Sequence, residues 1–138
     1  TYLETGVKHD NLDIEKAKRK REKLQNFIKS NIEVLPKGSK VFEIGSGDGA
    51  NAKYIKDLGY KVTGSDIADA FIKATRDKGV ETIKFNILKD EFVEKYFAIF
   101  CWRVFVHFTK EDVDIILRKI FMLSEHRRSF TLNRFSRL

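Results

Sequence analysis

Cysteine is almost absent from this chain, which has only Cys101 among its 138 residues. A single cysteine cannot form a disulfide framework, and no group of histidines and cysteines has the spacing of metal ligands. No serine, histidine and aspartate stand in an arrangement that suggests a hydrolytic triad. The sequence therefore predicts no metal site and leaves the catalytic residues unknown.

Long apolar runs are also missing from the chain. The longest, from Phe97 to Trp102, is far shorter than the roughly 20 residues that a membrane-spanning helix needs. The N-terminus is polar and has no secretory hydrophobic region. The composition, with 42% hydrophobic and 34% charged residues, is typical of a soluble globular protein. We expect one domain over residues 1–138, no membrane partner, and a location in the reducing cytoplasm.

The most informative part of the chain is a glycine-rich turn between a predicted strand and a predicted helix. Gly45, Gly47 and Gly49 follow the apolar strand, and Asp66 ends the next strand, 19 residues after Gly47. Such a turn lets a ligand approach the backbone, and a carboxylate about 20 residues further on can accept both ribose hydroxyls. The spacing predicts a site for a nucleoside-containing cofactor. The alternative is a tight turn without a ligand.

Charge distinguishes between the cofactors that this turn could hold. Gly45, Gly47 and Ala50 also satisfy the dinucleotide pattern G-x-G-x-x-A, so the glycines alone leave the cofactor open. Glu43 and Asp48 would repel a pyrophosphate, whereas the ammonium and sulfonium of S-adenosylmethionine tolerate acidic neighbours. No G-K-[ST] follows the glycines, which argues against a nucleoside triphosphate. The turn therefore favours S-adenosylmethionine.

The run Glu43-x-Gly45-x-Gly47-x-Gly49, followed by Asp66, resembles the class I S-adenosylmethionine-dependent methyltransferases. The likeness covers roughly residues 30–123, and the segment from Gly45 to Ala68 is similar to the tellurite-resistance and thiopurine-like branch, which acts on small molecules. The family fold has seven strands, and the final antiparallel hairpin has no candidate in this sequence. The sequence therefore resembles a member of this family that is incomplete at its C-terminus.

Strands that alternate with helices of 10–12 residues predict parallel βαβ units in a doubly wound, Rossmann-like sheet. We expect a three-layer α/β/α sandwich with the sheet order 3-2-1-4-5. Residues 1–12 are expected to be irregular, and Asp13 is expected to cap a helix that ends near Ser30. The other predicted helices are 50–58, 68–78 and one that opens at Thr109 with a capping-box-like start, and the predicted strands are 40–45, 61–66, 81–87, 97–102 and 128–133.

The residues around the glycine turn have distinct predicted roles. Gly45 and Gly47 should hold the turn and admit the methionine part of the cofactor, with Ser46 between them. Glu43 is placed to contact the ammonium directly or through water; the alternative is that it caps the N–H groups of the turn. Asp66 should accept hydrogen bonds from the ribose hydroxyls. Ile67, the next residue, would pack on the adenine or ribose.

Two further strand ends contribute candidates. Asn86, followed by Ile87, ends the third predicted strand, where the resembling family often has an acidic residue that binds the adenine amine. Asparagine can accept from an amine and donate to a ring nitrogen, and the alternative is a plain turn residue. The resemblance also implies that Cys101 and Trp102 line the pocket near the sulfonium, although both residues could equally be core. His107 is more typical of a packing or capping residue than of a base.

The net charge of +7 raises the question of a nucleic-acid partner. The main basic run, 16–23, lies on a predicted helix and is more typical of a solvated helix face. The favoured function is methyl transfer to a small molecule; a non-catalytic S-adenosylmethionine-binding module and, less favoured, an RNA methyltransferase are the alternatives. The tail over 124–138 is basic and atypical, and the open edge of strand five predicts weak self-association.

Overall fold

The structure of the protein is a computed structural model that describes residues 2–102, 107–125 and 130–134, with side chains described over 12–102 and 107–122. Four helices and five strands alternate along these residues. The helices are α1 (Tyr2–Ile32), α2 (Ala50–Asp57), α3 (Asp69–Asp77) and α4 (Lys110–Glu125). The strands are β1 (Lys40–Ile44), β2 (Lys61–Asp66), β3 (Glu81–Lys84), β4 (Ala98–Trp102) and β5 (Phe130–Arg134).

The five strands form one parallel sheet with the order β3-β2-β1-β4-β5. This confirms the predicted Rossmann-like sheet and places β1 at its centre. In a sheet of this kind the order in which strands are added reverses between β1 and β4. Ligands bind at the carboxyl ends of the strands near that point. The glycine turn, residues 45–49, begins there.

Both faces of the sheet are covered by apolar side chains, because successive residues of a strand point to opposite faces. On one face the core is formed with α1 and α2, and on the other with α4 and the segment between β3 and β4. The first core includes Leu24, Ile28, Val41, Ile55, Ala98 and Phe100. The second includes Phe42, Ile44, Phe85, Ile87, Ile99, Cys101 and Ile116.

The C-terminal end of α1 is held against the first core by the buried side chain of Tyr60. Its hydroxyl donates toward the carbonyl oxygens of Ile32, at 3.0 Å, and Leu35, at 3.1 Å. These carbonyls lie where the helix leaves its last groups without intrahelical partners. Tyr60 therefore ties the helix end to the strand region behind it.

Replacing Tyr60 by phenylalanine is expected to lower the free energy of unfolding by about 1 kcal/mol, because a buried hydrogen bond is lost while the ring is kept. Urea unfolding followed by circular dichroism measures the change. Tyr54→Phe is the matched control, since the Tyr54 side chain is half-buried and is expected to change stability by less than about 0.5 kcal/mol. Equal effects of the two substitutions would contradict this role of Tyr60.

Two predicted boundaries were wrong by more than two residues. Residues 2–12 are helical, and α1 begins at Tyr2 rather than after Asp13; the segment contains no proline, so the capping residue Asp13 lies within a longer helix. Strand β3 ends at Lys84 instead of 87 because the chain turns directly after it.

Residues 126–129 and 135–138 of the basic tail lie outside the described residues, and self-association through β5 stays a prediction. No helix among the described residues is long and apolar enough to cross a bilayer.

Candidate functional site

The glycine turn is fastened to β2 through Ser46. The Ser46 N–H donates to the carbonyl oxygen of Ser65 at 2.7 Å, and the Ser65 N–H donates to Ser46 Oγ at 3.0 Å. The Ser65 hydroxyl in turn donates to the carbonyl oxygen of Glu43 at 2.7 Å. The start of the turn is therefore fixed to β2 by three hydrogen bonds.

Two glycines of the turn serve different purposes, although both have positive φ. A Cβ on Gly49, at φ 86°, would lie 2.8 Å from the Cα of Thr75, so this glycine allows α2 to begin close against α3. A Cβ on Gly47, at φ 56°, would meet no atom within 4 Å. The backbone at Gly47 thus borders open space, as a turn that admits a ligand must.

Asp66 bridges this turn to the segment before α3. Its Oδ2 accepts a hydrogen bond from the Gly47 N–H at 3.1 Å, and its Oδ1 accepts one from the Ala68 N–H at 3.0 Å. Each carboxylate oxygen has a second lone pair, and the side chain is half-buried. Asp66 can therefore accept further hydrogen bonds from hydroxyl groups while it holds the turn in place.

Glu43 is the most unusual residue of the site. It lies on the central strand with a relative exposure of 2%, beside Gly64 on β2 and Phe100 on β4. Among the described residues its Oε1 has no hydrogen-bond partner. A buried polar atom without a partner is costly and rare, so this oxygen indicates a place for a donor that the chain itself does not supply.

The surroundings of Glu43 also change its acidity. Burial raises the pKa of the Glu43 carboxyl from 4.5 to about 8, against the opposing effect of a hydrogen bond with Ser46. The negative charges of Asp48 and Asp66 raise this pKa further. Near neutral pH the free protein therefore holds a proton on Glu43, and an incoming cation would favour its release.

Apolar surface is exposed next to the Asp66 carboxylate. Ile67 is 64% exposed and Phe71, one turn into α3, is 47% exposed. Large apolar side chains at such a position offer a flat ring a surface to pack on. The predicted contact of Ile67 with an adenine or ribose agrees with this exposure and stays a prediction.

Asn86 forms a turn of its own. Its Oδ1 accepts a hydrogen bond from the Leu88 N–H at 3.0 Å, and its backbone N–H donates to Asp90 Oδ2 at 2.7 Å. Asn86 therefore acts as a turn residue through its Oδ1. The two N–H groups of its side-chain amide can still donate to a ligand. Its contact with adenine stays a prediction.

Two of the predicted site residues, Ile87 and Cys101, are buried, and their contact with the cofactor stays a prediction. Ile87 is 3% exposed and Cys101 is 1% exposed, and both pack in the core on the α4 side. Trp102 is half-buried against the opposite core, and His107 is exposed. Glu43, Ser46, Gly47 and Asp66 are therefore the residues that the fold gathers, with Ile67 beside them.

The start of α4 has the predicted capping box. The Asp112 N–H donates to Thr109 Oγ1 at 3.1 Å, and the Thr109 N–H donates to Asp112 Oδ2 at 3.3 Å. This reciprocal pair satisfies two helix-end donors and fixes where α4 begins after β4.

Gly64 and Ser65 are site residues that the sequence analysis missed. A Cβ on Gly64 would lie 2.8 Å from Ser46 Oγ, so the glycine leaves room for the hydroxyl that holds the turn. The signal was present as a glycine and a serine inside a central strand, where larger apolar residues are usual. Small residues at this point of β2 mark the close approach of the turn.

A cavity of about 400 Å³ lies at the opposite edge of the sheet, where the strands begin. Its lining includes Lys40, Lys61, Glu81 and Glu94. Lys40 and Glu94 form an exposed ion pair at 3.6 Å. Ligands of parallel sheets bind at the carboxyl ends of the strands, so we place the candidate site at the glycine turn and not in this cavity.

Comparisons with known proteins give the family of this arrangement. Residues 41–125, well over half of the chain, match the family model described as a methyltransferase domain. Among curated protein sequences, none matches this chain significantly.

Three solved structures share the fold. A TehB-like S-adenosylmethionine-dependent methyltransferase from Corynebacterium glutamicum is 19% identical, with a TM-score of 0.62 over 83% of this chain and 65% of its own. TehB from Haemophilus influenzae is 24% identical, with a TM-score of 0.63 over 74% and 36%. Magnesium protoporphyrin IX methyltransferase from Synechocystis, with bound S-adenosylmethionine, is 16% identical, with a TM-score of 0.63 over 79% and 53%. The chain thus spans less than two thirds of the length of each of these proteins.

Proposed function

We propose that this chain, which belongs to the methyltransferase-domain family, is a class I S-adenosylmethionine-dependent methyltransferase that binds its cofactor at the glycine turn and methylates a small molecule. The observation that carries the proposal is the buried Oε1 of Glu43, which has no partner among the described residues. An ammonium group supplies the missing donor and compensates the charge of the carboxylate.

The other residues of the site fit the rest of the cofactor. Asp66 keeps free lone pairs for two ribose hydroxyls, and Ile67 offers an exposed apolar surface for the adenine. The open space at Gly47 admits the methionine part against the backbone. When bound, S-adenosylmethionine supplies a methyl group on a sulfonium, which is a good leaving group.

The same site disfavours a dinucleotide. A pyrophosphate at the start of α2 would lie near the carboxylates of Glu43, Asp48 and Asp66, and the start of a helix favours a phosphate only where such charges are absent. In the free protein, burial is the main cause of the raised pKa of Glu43, and the negative charges of Asp48 and Asp66 raise it further. A cationic ligand relieves the repulsion between these charges, whereas an anionic one increases it.

The chain's own residues would act by orientation. No residue of the site is required to exchange a proton with the acceptor, because alignment of the acceptor with the methyl group can supply roughly 7–11 kcal/mol of the barrier. A small-molecule acceptor is supported by one of the similar solved proteins, whose name gives magnesium protoporphyrin IX. We also propose that the protein acts in the cytoplasm.

Isothermal titration calorimetry with S-adenosylmethionine, S-adenosylhomocysteine and NADH tests the binding step. We expect both adenosyl ligands to bind at one site and NADH to give no heat, because the site is acidic. Tight NADH binding without an adenosylmethionine signal would reverse the assignment of the cofactor. Release of S-adenosylhomocysteine with a panel of small acceptors then tests transfer, and binding without turnover would favour the non-catalytic module.

A further inference from the structure

Most of the excess positive charge of the chain lies in eight residues of α1. We call residues 16–23 the basic stretch. Six cations and the single carboxylate of Glu22 give it a charge of +5, against +7 for the whole chain. The cations are Lys16, Lys18, Arg19, Lys20, Arg21 and Lys23.

The basic stretch stands away from the rest of the protein. Every residue from 12 to 23 is exposed, and the first buried side chain of α1 within the described range is Leu24. From Leu24 the helix packs against the sheet through Ile28 and Ile32. The part of α1 that carries the charge is therefore accessible around its whole circumference.

The basic stretch differs in its ion pairs from other helix positions among the described side chains. Three other lysines on helices pair with a carboxylate four residues on, namely Lys29 with Glu33, Lys53 with Asp57 and Lys73 with Asp77. Within the side chains that the structure describes, none of the six cations of the basic stretch makes an ion pair. Their charge remains available to an external partner.

The arrangement of these cations selects among anionic partners. Lys16, Lys20 and Lys23 follow the spacing of one helix face, whereas Lys18 and Arg21 share another. Ala17 is the only apolar residue from 15 to 23, and a helix that binds a membrane surface needs a broad apolar face. Positive charge on two faces suits a helix that lies between two phosphate backbones, as in the major groove of a nucleic-acid duplex.

We propose that the basic stretch of α1 is a sequence-independent docking surface for the phosphate backbone of nucleic acid. It is separate from the glycine turn, so the proposal does not depend on the identity of the cofactor. Contacts of this kind release counterions, and the affinity falls with salt according to the number of phosphates contacted. The expected affinity is that of non-specific binding, with Kd on the order of 10⁻⁶–10⁻⁴ M at physiological salt.

Fluorescence anisotropy with a labelled 20-base-pair DNA duplex, and in parallel with a 20-nucleotide RNA strand, tests the proposal across 50–200 mM salt. For the duplex, three to five phosphate contacts predict a slope of about −3 to −5 in log K against log salt. The triple variant Lys16→Gln, Lys20→Gln, Lys23→Gln should reduce this slope by about 2 to 3 and the affinity at 100 mM salt by at least about tenfold.

The triple variant Lys29→Gln, Lys53→Gln, Lys73→Gln is the matched control, because it loses the same charge from exposed helix positions elsewhere. It should keep the slope and stay within about threefold of the original affinity. Both variants should remain folded, because lysine and glutamine have similar helix propensities. Circular dichroism and cofactor calorimetry check this. Equal losses in the two variants, or binding to phosphatidylserine vesicles without binding to either nucleic acid, would overturn the proposal.

Discussion

Replacing Glu43 by glutamine is expected to make the free protein more stable above neutral pH. Burial raises the pKa of this carboxyl from 4.5 to about 8, so the folded state keeps a proton that the unfolded state has lost. The free energy of unfolding of the unmodified protein must therefore fall as the pH rises from about 4.5 to about 8. At 1.36 kcal/mol per pKa unit, the total loss is on the order of 5 kcal/mol. Glutamine has no proton to lose and avoids this penalty.

Urea unfolding of both proteins at pH 5, 7 and 9 measures this difference. The two free energies of unfolding should be similar at pH 5, differ clearly at pH 7, and reach their full difference at pH 9, above the folded-state pKa. Glu33→Gln is the control, because Glu33 is exposed and paired only with Lys29 at 3.9 Å. An identical pH dependence in all three proteins would show that Glu43 is not the group that titrates.

The same substitution should weaken the proposed cofactor binding. A charged hydrogen-bond partner contributes about 1.5–3 kcal/mol, which corresponds to a loss of roughly 10- to 150-fold in affinity. In the unmodified protein, calorimetry in buffers of different ionisation enthalpy should detect proton release on binding at pH 7, because the ammonium favours the Glu43 carboxylate. Proton release that persists in Glu43→Gln would assign it to another group. Stability and binding thus change in opposite directions at one residue.

Replacing Asp66 by alanine is expected to reduce cofactor affinity by about 1–3 kcal/mol, because ribose hydroxyls lose a charged acceptor. The hydrogen bonds of Asp66 to the backbone of Gly47 and Ala68 add a second effect. Their loss should lower the free energy of unfolding by roughly 1–2 kcal/mol. The affinity loss could therefore arise from a displaced turn as well as from the missing acceptor.

A ligand without ribose hydroxyls separates the two effects. The unmodified protein should prefer S-adenosylhomocysteine over its 2′,3′-dideoxy analogue, and Asp66→Ala should bind both with nearly equal affinity. The control is Asp69→Ala, which removes an exposed carboxylate paired with Lys84 at 3.1 Å and should keep the preference. If Asp66→Ala still discriminates between the ligands, Asp66 acts on the turn alone.

The region from β1 to β2 was predictable because several local signals agree there. The glycine spacing, the apolar strands and the position of Asp66 all indicate one strand–turn–helix unit. The start of α1 was not predictable in this way. The stretch from 15 to 23 has Ala17 as its single apolar residue, so no hydrophobic period connects the packed part of the helix to its start.

The burial of Cys101 shows a different limit of the sequence. Strands of a parallel sheet are buried on both faces, so their apolar residues do not show which side chains reach the ligand edge. Cys101 lies opposite Ile44 on β1 and shares its core, whereas Glu43 points to the other face. The alternation along β1 became informative only when the strand order and register were known.

The central position of β1 has a consequence for the order of folding. β1 reaches its neighbour β2 across a single helix, whereas β4 pairs with β1 only after the chain has passed through β2, α3 and β3. Nearby contacts generally form before distant ones, because closing a longer loop costs more entropy. Until β4 docks and places Phe100 beside it, Glu43 remains on an open strand edge in contact with water and keeps an ordinary acidity. The docking of β4 should therefore take up a proton, which would make this step of sheet assembly slower in alkaline solution.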